Sequence, residues 1–241
     1  NPEDKSAFEE TIILADKING EIIITTDPDA DRLGVGVRDF NKNWVLLNGN
    51  QLMVLLFSFL IERKKFKNED FFVSTTLVSS PLFEKIAEKN KIECKVCHTG
   101  FKWIADIIEK EKKKKFLCGG EESFGFLYGN EVRDKDAAVT SLLFCDMFSF
   151  LKSKGETVVN YLIKIYKDYG FYYDKLHTIT KKGSKGAAEI KKQIEFLRLN
   201  PPKKIAGINI SKIDDYKTGL SYFINGKTEK LDLPNTNLII Y

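Results

Sequence analysis

A chain of 241 residues is long enough for one large domain or two ordinary ones. An apolar fraction of 43% with 30% charged residues excludes a disordered chain and describes a globular protein with a core. The net charge of +4 comes from lysines spread along the chain, not from a basic tail, and gives no basis for a nucleic-acid partner. The one dense run, lysines 112–115, lies between a helical pattern and a strand-like segment and reads as a solvated helix end. The longest apolar stretch, residues 52–61, is about half of what a bilayer-spanning helix needs, so a buried helix and no membrane partner are expected. Of the four cysteines, Cys94 and Cys97 form a C-x-x-C with no second pair at zinc-site spacing. Free thiols of a reducing, cytoplasmic compartment are expected. The chain opens Asn1-Pro2-Glu3, as expected of a part of a longer protein.

In chain order, residues 8–18 carry a helical apolar stripe after an acidic turn, and residues 21–26 read as a buried strand. That strand runs into an aspartate-rich loop, and residues 33–37 read as the strand leaving it. From Asn48-Gly49-Asn50 onward helices and strands alternate. Helices are predicted at about 51–63, 81–90, 101–113 and 135–151, with strands at 71–77, 92–98 and 116–118. Strands separated by helices of about ten residues or more argue for a three-layer α/β/α domain with a mixed, mostly parallel sheet. A helix at 157–169 is expected to lead out of that domain. The remainder, a helix at 187–199 and short strands near 205–210, 220–224 and 237–241, reads as part of a C-terminal α+β domain.

Four segments carry chemistry. In Asp27-Pro28-Asp29-Ala30-Asp31-Arg32 three aspartates at alternate positions are able to aim oxygens inward from one turn. Two carboxylates 4 Å apart repel by roughly 4 kcal/mol at an effective dielectric of about 20, a cost that a hard cation such as Mg²⁺ or Ca²⁺ removes. An EF-hand is excluded, because Arg32 and Arg38 stand where its glycine and final acid belong. Arg32 beside a cation site makes sense if a phosphate binds there too. The second segment, Gly119-Gly120-Glu121-Glu122-Ser123-Phe124-Gly125, follows a strand and pairs a carboxylate with a hydroxyl suited to vicinal sugar hydroxyls. In the third, Thr99-Gly100-Phe101-Lys102 opens a helix whose free N–H groups, with Lys102, suit phosphate. The fourth, Arg133-Asp134-Lys135-Asp136, enters a helix, and Lys135 is able to act as an acid or base if its neighbours lower its pKa. Each segment alone also fits an ordinary acidic turn or charged helix entrance. His98 and His177 have no partner at ligand spacing.

Together these segments resemble the α-D-phosphohexomutase superfamily of phosphoglucomutases and phosphomannomutases. The order is the same: metal loop, T-G-x-K turn, G-E-x-S sugar loop, then a K-D pair before a helix. Gly49-Asn50-Gln51-Leu52 and Thr99-Gly100-Phe101-Lys102-Trp103 look most like the phosphopentomutase-type branch, and Pro28 replaces a glycine common elsewhere. The resemblance covers residues 1–174. It implies Asp27, Asp29 and Asp31 as Mg²⁺ ligands and Arg32 and Lys135 as catalytic residues. It further implies Glu121, Ser123, Lys102, Thr99, Gly100 and Arg133 as binding a sugar phosphate.

The resemblance also implies that residues 1–41 end a second mutase domain, that 42–155 form the third, sugar-binding domain, and that 156–241 are a linker and an incomplete fourth. The family's phosphoserine, and the other mutase domains of the same chain, are expected outside these residues, so the chain alone is expected to be inactive. The implied reaction interconverts 1-phosphates with 6- or 5-phosphates of hexoses or pentoses through a bisphosphate. The alternatives are a non-catalytic sugar-phosphate-binding homologue and a structural Ca²⁺-binding module. Oligomeric state is not readable from the sequence.

Overall fold

The computed structural model describes residues 1–63 and 70–241, which separate into two compact units, Asn1–Asp174 and Lys175–Tyr241. The first unit begins with a short 3₁₀ turn and helix α1 (Glu9–Lys17). Strands β1 (Ile22–Thr26), β2 (Leu33–Arg38) and β3 (Trp44–Leu47) form an antiparallel sheet. Thr26 lies opposite Leu33, so the aspartate-rich segment is the loop of a hairpin.

A second, mixed sheet has the order β5-β4-β6-β7. Its strands are β4 (Phe71–Thr76), β5 (Glu93–Cys97), β6 (Lys115–Glu121) and β7 (Gly125–Tyr128). β4 pairs in parallel with β5 and β6, and β7 closes the edge antiparallel to β6. Helix α2 (Gly49–Arg63) precedes this sheet, α3 (Pro81–Lys89) and α4 (Phe101–Lys110) connect its parallel strands, and α5 (Ala137–Ser153) and α6 (Val158–Tyr169) follow it.

Strand periodicity divides the side chains between two cores, as period-two alternation requires. Val73 and Phe126 join α2, α3, α5 and α6 on one face, while their neighbours Phe72 and Leu127 pack with Phe101, Ile104 and Ile108 of α4 on the other. The expected three-layer arrangement is present. α2 is buried nearly all round, from Leu52 to Leu60, which explains its unbroken apolar run. Among the described residues no helix is long and apolar enough to cross a membrane.

Three expectations shift in the first unit. Strands β3 and β7 were not anticipated, because four-residue strands carry too little pattern to stand out from their turns. Helix α5 starts at Ala137, not at 135, because the Asp136 carboxylate caps it by accepting from Val139 N–H at 3.0 Å. The helix expected to lead out of this domain packs within it instead. Val158, Tyr161, Leu162 and Ile165 bury the apolar face of α6 in the same core as α2, so α6 does not lead away from it.

The second unit has helix α7 (Gly183–Leu199), a hairpin of β8 (Lys204–Ile205) and β9 (Ile208–Asn209), and an antiparallel sheet. That sheet combines β10 (Lys212–Asp215), β11 (Leu220–Phe223), β12 (Thr228–Lys230) and β13 (Ile239–Ile240) in the order β12-β11-β10-β13. The strand expected over 205–210 is instead split by a turn at Ala206 and Gly207, both at positive φ.

Candidate active site

The hairpin loop after β1 is built around Asp27. Its Oδ1 accepts the backbone N–H groups of Asp31 and Arg32 at 3.2 and 3.1 Å, and its Oδ2 accepts Arg32 Nε at 2.7 Å. Burial favours the neutral acid, yet the bonds from Arg32 outweigh it and hold the Asp27 carboxyl at about 2, so it is anionic. Ala30 takes a left-handed φ of 54°, which closes the turn. Oxygens of Asp27, Asp29 and Asp31 then lie within 4.8 Å of one another. Asp27 is buried, whereas Asp29 is exposed and able to swing. Three hard carboxylate oxygens at this spacing fit a small divalent cation such as Mg²⁺.

Two cations flank the triad. Arg32 reaches Glu3 at 2.8 Å and Asp31 at 3.8 Å. Lys135, just outside the α5 cap, reaches Asp31 at 2.8 Å and Asp134 at 2.9 Å. Its Nζ also sits 5.5 Å from the centre of the Phe101 ring, the first residue of α4. Burial would lower its pKa, but the bonds to Asp31 and Asp134 prevail and raise it. In this arrangement Lys135 is held as a cation by its two carboxylate partners.

The sugar-loop segment forms the turn between β6 and β7 and is fastened to the aspartate loop by main chain. Leu33 N–H donates to Phe124 C=O at 3.1 Å and Arg32 bridges Gly125, while the start of α5 is tied to the same aspartate loop by Ala137 N–H donating to Ala30 C=O at 3.0 Å. Glu121, 5% exposed, accepts Gly100 N–H at 2.5 Å. Gly100 has φ 108°, a conformation that side-chain-bearing residues rarely adopt, which turns this N–H back from the start of α4 toward the sugar loop. Ser123 is half-buried in the turn and Thr99 is exposed beside Gly100.

Lys102 is exposed on the first turn of α4, with its Nζ 5.4 Å from the centre of the Trp103 ring. Arg133 folds back on the carbonyls of its own turn, Asn130 and Val132, and reaches none of the other expected groups in this arrangement. His98 is buried behind Thr99 and meets Trp103 edge-on at 5.7 Å, while His177 is exposed in the second unit.

Burial pushes the Glu121 carboxyl above its ordinary 4.5, with the Gly100 bond opposing. The folded state therefore holds this proton more tightly than the unfolded chain. Glu121 contributes stability below pH 4.5 that is lost as pH rises through its raised pKa. Glu121→Gln retains an acceptor for Gly100 and is expected to remove that component. Thermal melts of both proteins across this pH range check it, read as the difference between them.

Sequence reasoning missed several residues of this neighbourhood. Glu122, Thr76 and Ser79 join through hydrogen bonds of 3.2 Å, and Gly49 abuts the sugar loop. For Thr76 and Ser79 the only signal was placement, hydroxyls at the C-terminal end of a parallel strand, where open α/β sheets bind ligands, while Glu122 and Gly49 lay in segments of the family resemblance without a role.

Residues 48–169 match the sequence model of the phosphoglucomutase/phosphomannomutase α/β/α domain III. A phosphoglucomutase of Staphylococcus aureus is 36% identical over 241 residues, which is 99% of this chain and 44% of that protein. The chain thus spans less than half the length of the curated relatives it matches. Among solved structures, a protein described as a phosphomannomutase of Thermus thermophilus superposes with a TM-score of 0.59 at 23% identity, over 76% of this chain and 40% of the other. Parafusin of Paramecium, described as a phosphoglucomutase in its open form, gives 0.56 at 20% identity, over 87% and 34%. Both share the fold. The matched domain, and the order in which its motifs fold together, make this chain a member of the phosphoglucomutase/phosphomannomutase family within the α-D-phosphohexomutase superfamily.

Proposed function

We propose that the protein to which this chain belongs is a phosphosugar mutase, and that the first unit supplies its metal loop and its sugar-binding domain. One observation carries the reading. Lys135 pairs with Asp31 of the acidic triad, packs over Phe101 of α4 and places its charge near Glu121. A cation site, a phosphate-suited helix start and a sugar-hydroxyl acceptor therefore surround one cationic group.

In this reading Asp27, Asp29 and Asp31 hold Mg²⁺, which neutralises charge on oxygens that exchange a phosphoryl group. Glu121 and Ser123 hold vicinal sugar hydroxyls, and either orientation of the sugar presents such a pair. Arg32 and Lys135 balance the charge of the phosphate and the aspartates. Thr99, Gly100, Lys102 at the α4 N-terminus and Arg133 hold the second phosphate, with Arg133 turning away from its own loop to do so. A phosphoserine carried elsewhere in the protein donates the phosphoryl group and recovers one from the bisphosphate. We assign residues up to 41 to the end of the second mutase domain, the third domain from there through α6, and the second unit to the fourth. The four free thiols suit a reducing cytosol.

The test is an assay of the full-length protein against glucose, mannose, ribose and deoxyribose 1-phosphates. Turnover of a hexose and a pentose phosphate would support the phosphopentomutase-type branch, and turnover of hexoses alone would restrict the protein to the phosphoglucomutase or phosphomannomutase type. No turnover of any, with sugar phosphate still bound, would establish the non-catalytic alternative. The 241-residue chain by itself is expected to turn over none.

A further inference from the structure

Glu121 and Ser123 are the residues that the family pattern assigns to the sugar, yet the side chain between them is the one tied to the loop after β4. The Glu122 Oε2 atom lies 3.2 Å from both Thr76 Oγ1 and Ser79 Oγ, and those hydroxyls lie 2.8 Å from each other. The Glu122 backbone N–H donates to Ser79 Oγ at 3.2 Å, so both ends of the residue are tied to the β4–α3 loop. Thr76 and Ser79 are 1% and 7% exposed, and this carboxylate is an acceptor for their buried protons.

The main chain is held as closely. A Cβ on Gly49, the first residue of α2, would lie 2.1 Å from Glu122 C=O and 2.7 Å from Phe124 N. No residue with a side chain fits there unless the loop moves. That helix start is itself fixed. Asn48 and Gln51 cap each other reciprocally at 2.8 and 3.0 Å, and Asn50 Oδ1 accepts Ser80 N–H at 2.9 Å. α2, β4 and α3 thus form one seat beneath the sugar loop.

We propose that Glu122 is a positioning residue, which locks the turn to this seat so that Glu121 and Ser123 face the substrate at fixed spacing, and that Gly49 is the contact that lets the loop sit so low. This rests on the mutase reading above. Glu122 itself stays off the substrate, because its carboxylate faces the buried hydroxyls. A hydrogen-bonded pair of recognition groups displaced by a fraction of an ångström loses affinity and rate, and that loss is what its removal would produce.

The experiment uses the full-length protein with Glu122→Ala, Glu122→Gln and Ser79→Ala. Glu122→Ala is expected to lower kcat/KM by about 10- to 100-fold, mostly through KM for the sugar phosphate. Glu122→Gln keeps an oxygen acceptor and is expected to restore KM to within about threefold, and Ser79→Ala to fall between. A folded Glu122→Ala protein with unchanged KM overturns the proposal, as does a Gln variant no better than Ala. Amide hydrogen exchange over residues 122–125 separates this result from the fate of the mutase reading. If the wild-type protein turns over no sugar phosphate, faster exchange in Glu122→Ala but not in Glu122→Gln still supports the seat. Unchanged exchange overturns it.

Discussion

Asp29→Ala in the full-length protein is expected to lower kcat by about 100- to 1,000-fold while leaving the melting temperature nearly unchanged. The two effects separate because of how the loop is built. Asp29 is exposed, so its removal disturbs no packing. Asp27, by contrast, organises the turn, accepting two backbone N–H groups and Arg32 Nε, and Asp27→Ala would lose stability along with activity. If the triad holds Mg²⁺ as proposed, Asp29→Ala leaves two aspartates, too few for a tightly held cation, since Mg²⁺ demands near-ideal octahedral geometry and releases water reluctantly. Calorimetry of Mg²⁺ binding to wild type and Asp29→Ala gives a readout independent of turnover. Loss of rate with retained Mg²⁺ affinity would assign Asp29 a role other than ligand, and a near-normal rate would remove the triad from the mechanism.

The second large effect is expected in the second unit and concerns stability alone. Arg198 near the end of α7 donates from Nε to Asp215 Oδ1 at 2.9 Å, from Nη1 to Glu195 at 2.9 Å and from Nη2 to Asn237 at 3.0 Å. The side chains of Arg198 and Asp215 are only 8% and 4% exposed, so the pair joins α7 to β10 out of water. Removing Asp215 leaves Arg198 only the partly exposed Glu195 as a counter-charge, and Asp215→Ala is expected to destabilise this unit by about 3 kcal/mol. Replacing both by apolar residues, Arg198→Met with Asp215→Leu, is expected to recover most of that loss, because the desolvation penalty disappears with the charges. Denaturant titrations of the three variants check this. A double variant as unstable as the single one would mean that the bonds to Glu195 and Asn237 matter more than the pair.

The local elements of the first unit were legible because each has its own pattern. The buried run of α2, the apolar stripe of α4 and the strands on either side of the aspartate loop report their burial through neighbours a few residues away. The edge strands β3 and β7, and β10 and β12 of the second unit, were not legible, since their place depends on partners and not on their own residues. The same division runs through the site. The sequence placed three carboxylates in one turn, and repulsion among them was reason enough to expect a cation. It could not show that Asp136 caps α5 and thereby leaves Lys135 free to reach Asp31, about a hundred positions earlier in the chain.

Glu121 and Glu122 make the point most directly. As adjacent acids in one turn they are indistinguishable in sequence, apart from the family pattern. The fold sends one to Gly100 N–H and the other to the hydroxyls of Thr76 and Ser79. The sequence alone determined which residue types meet in each loop and which chemistry they suit. Only the tertiary structure decided which of them face one another, because those contacts join segments separated by tens of residues, and nothing in a local periodicity records them.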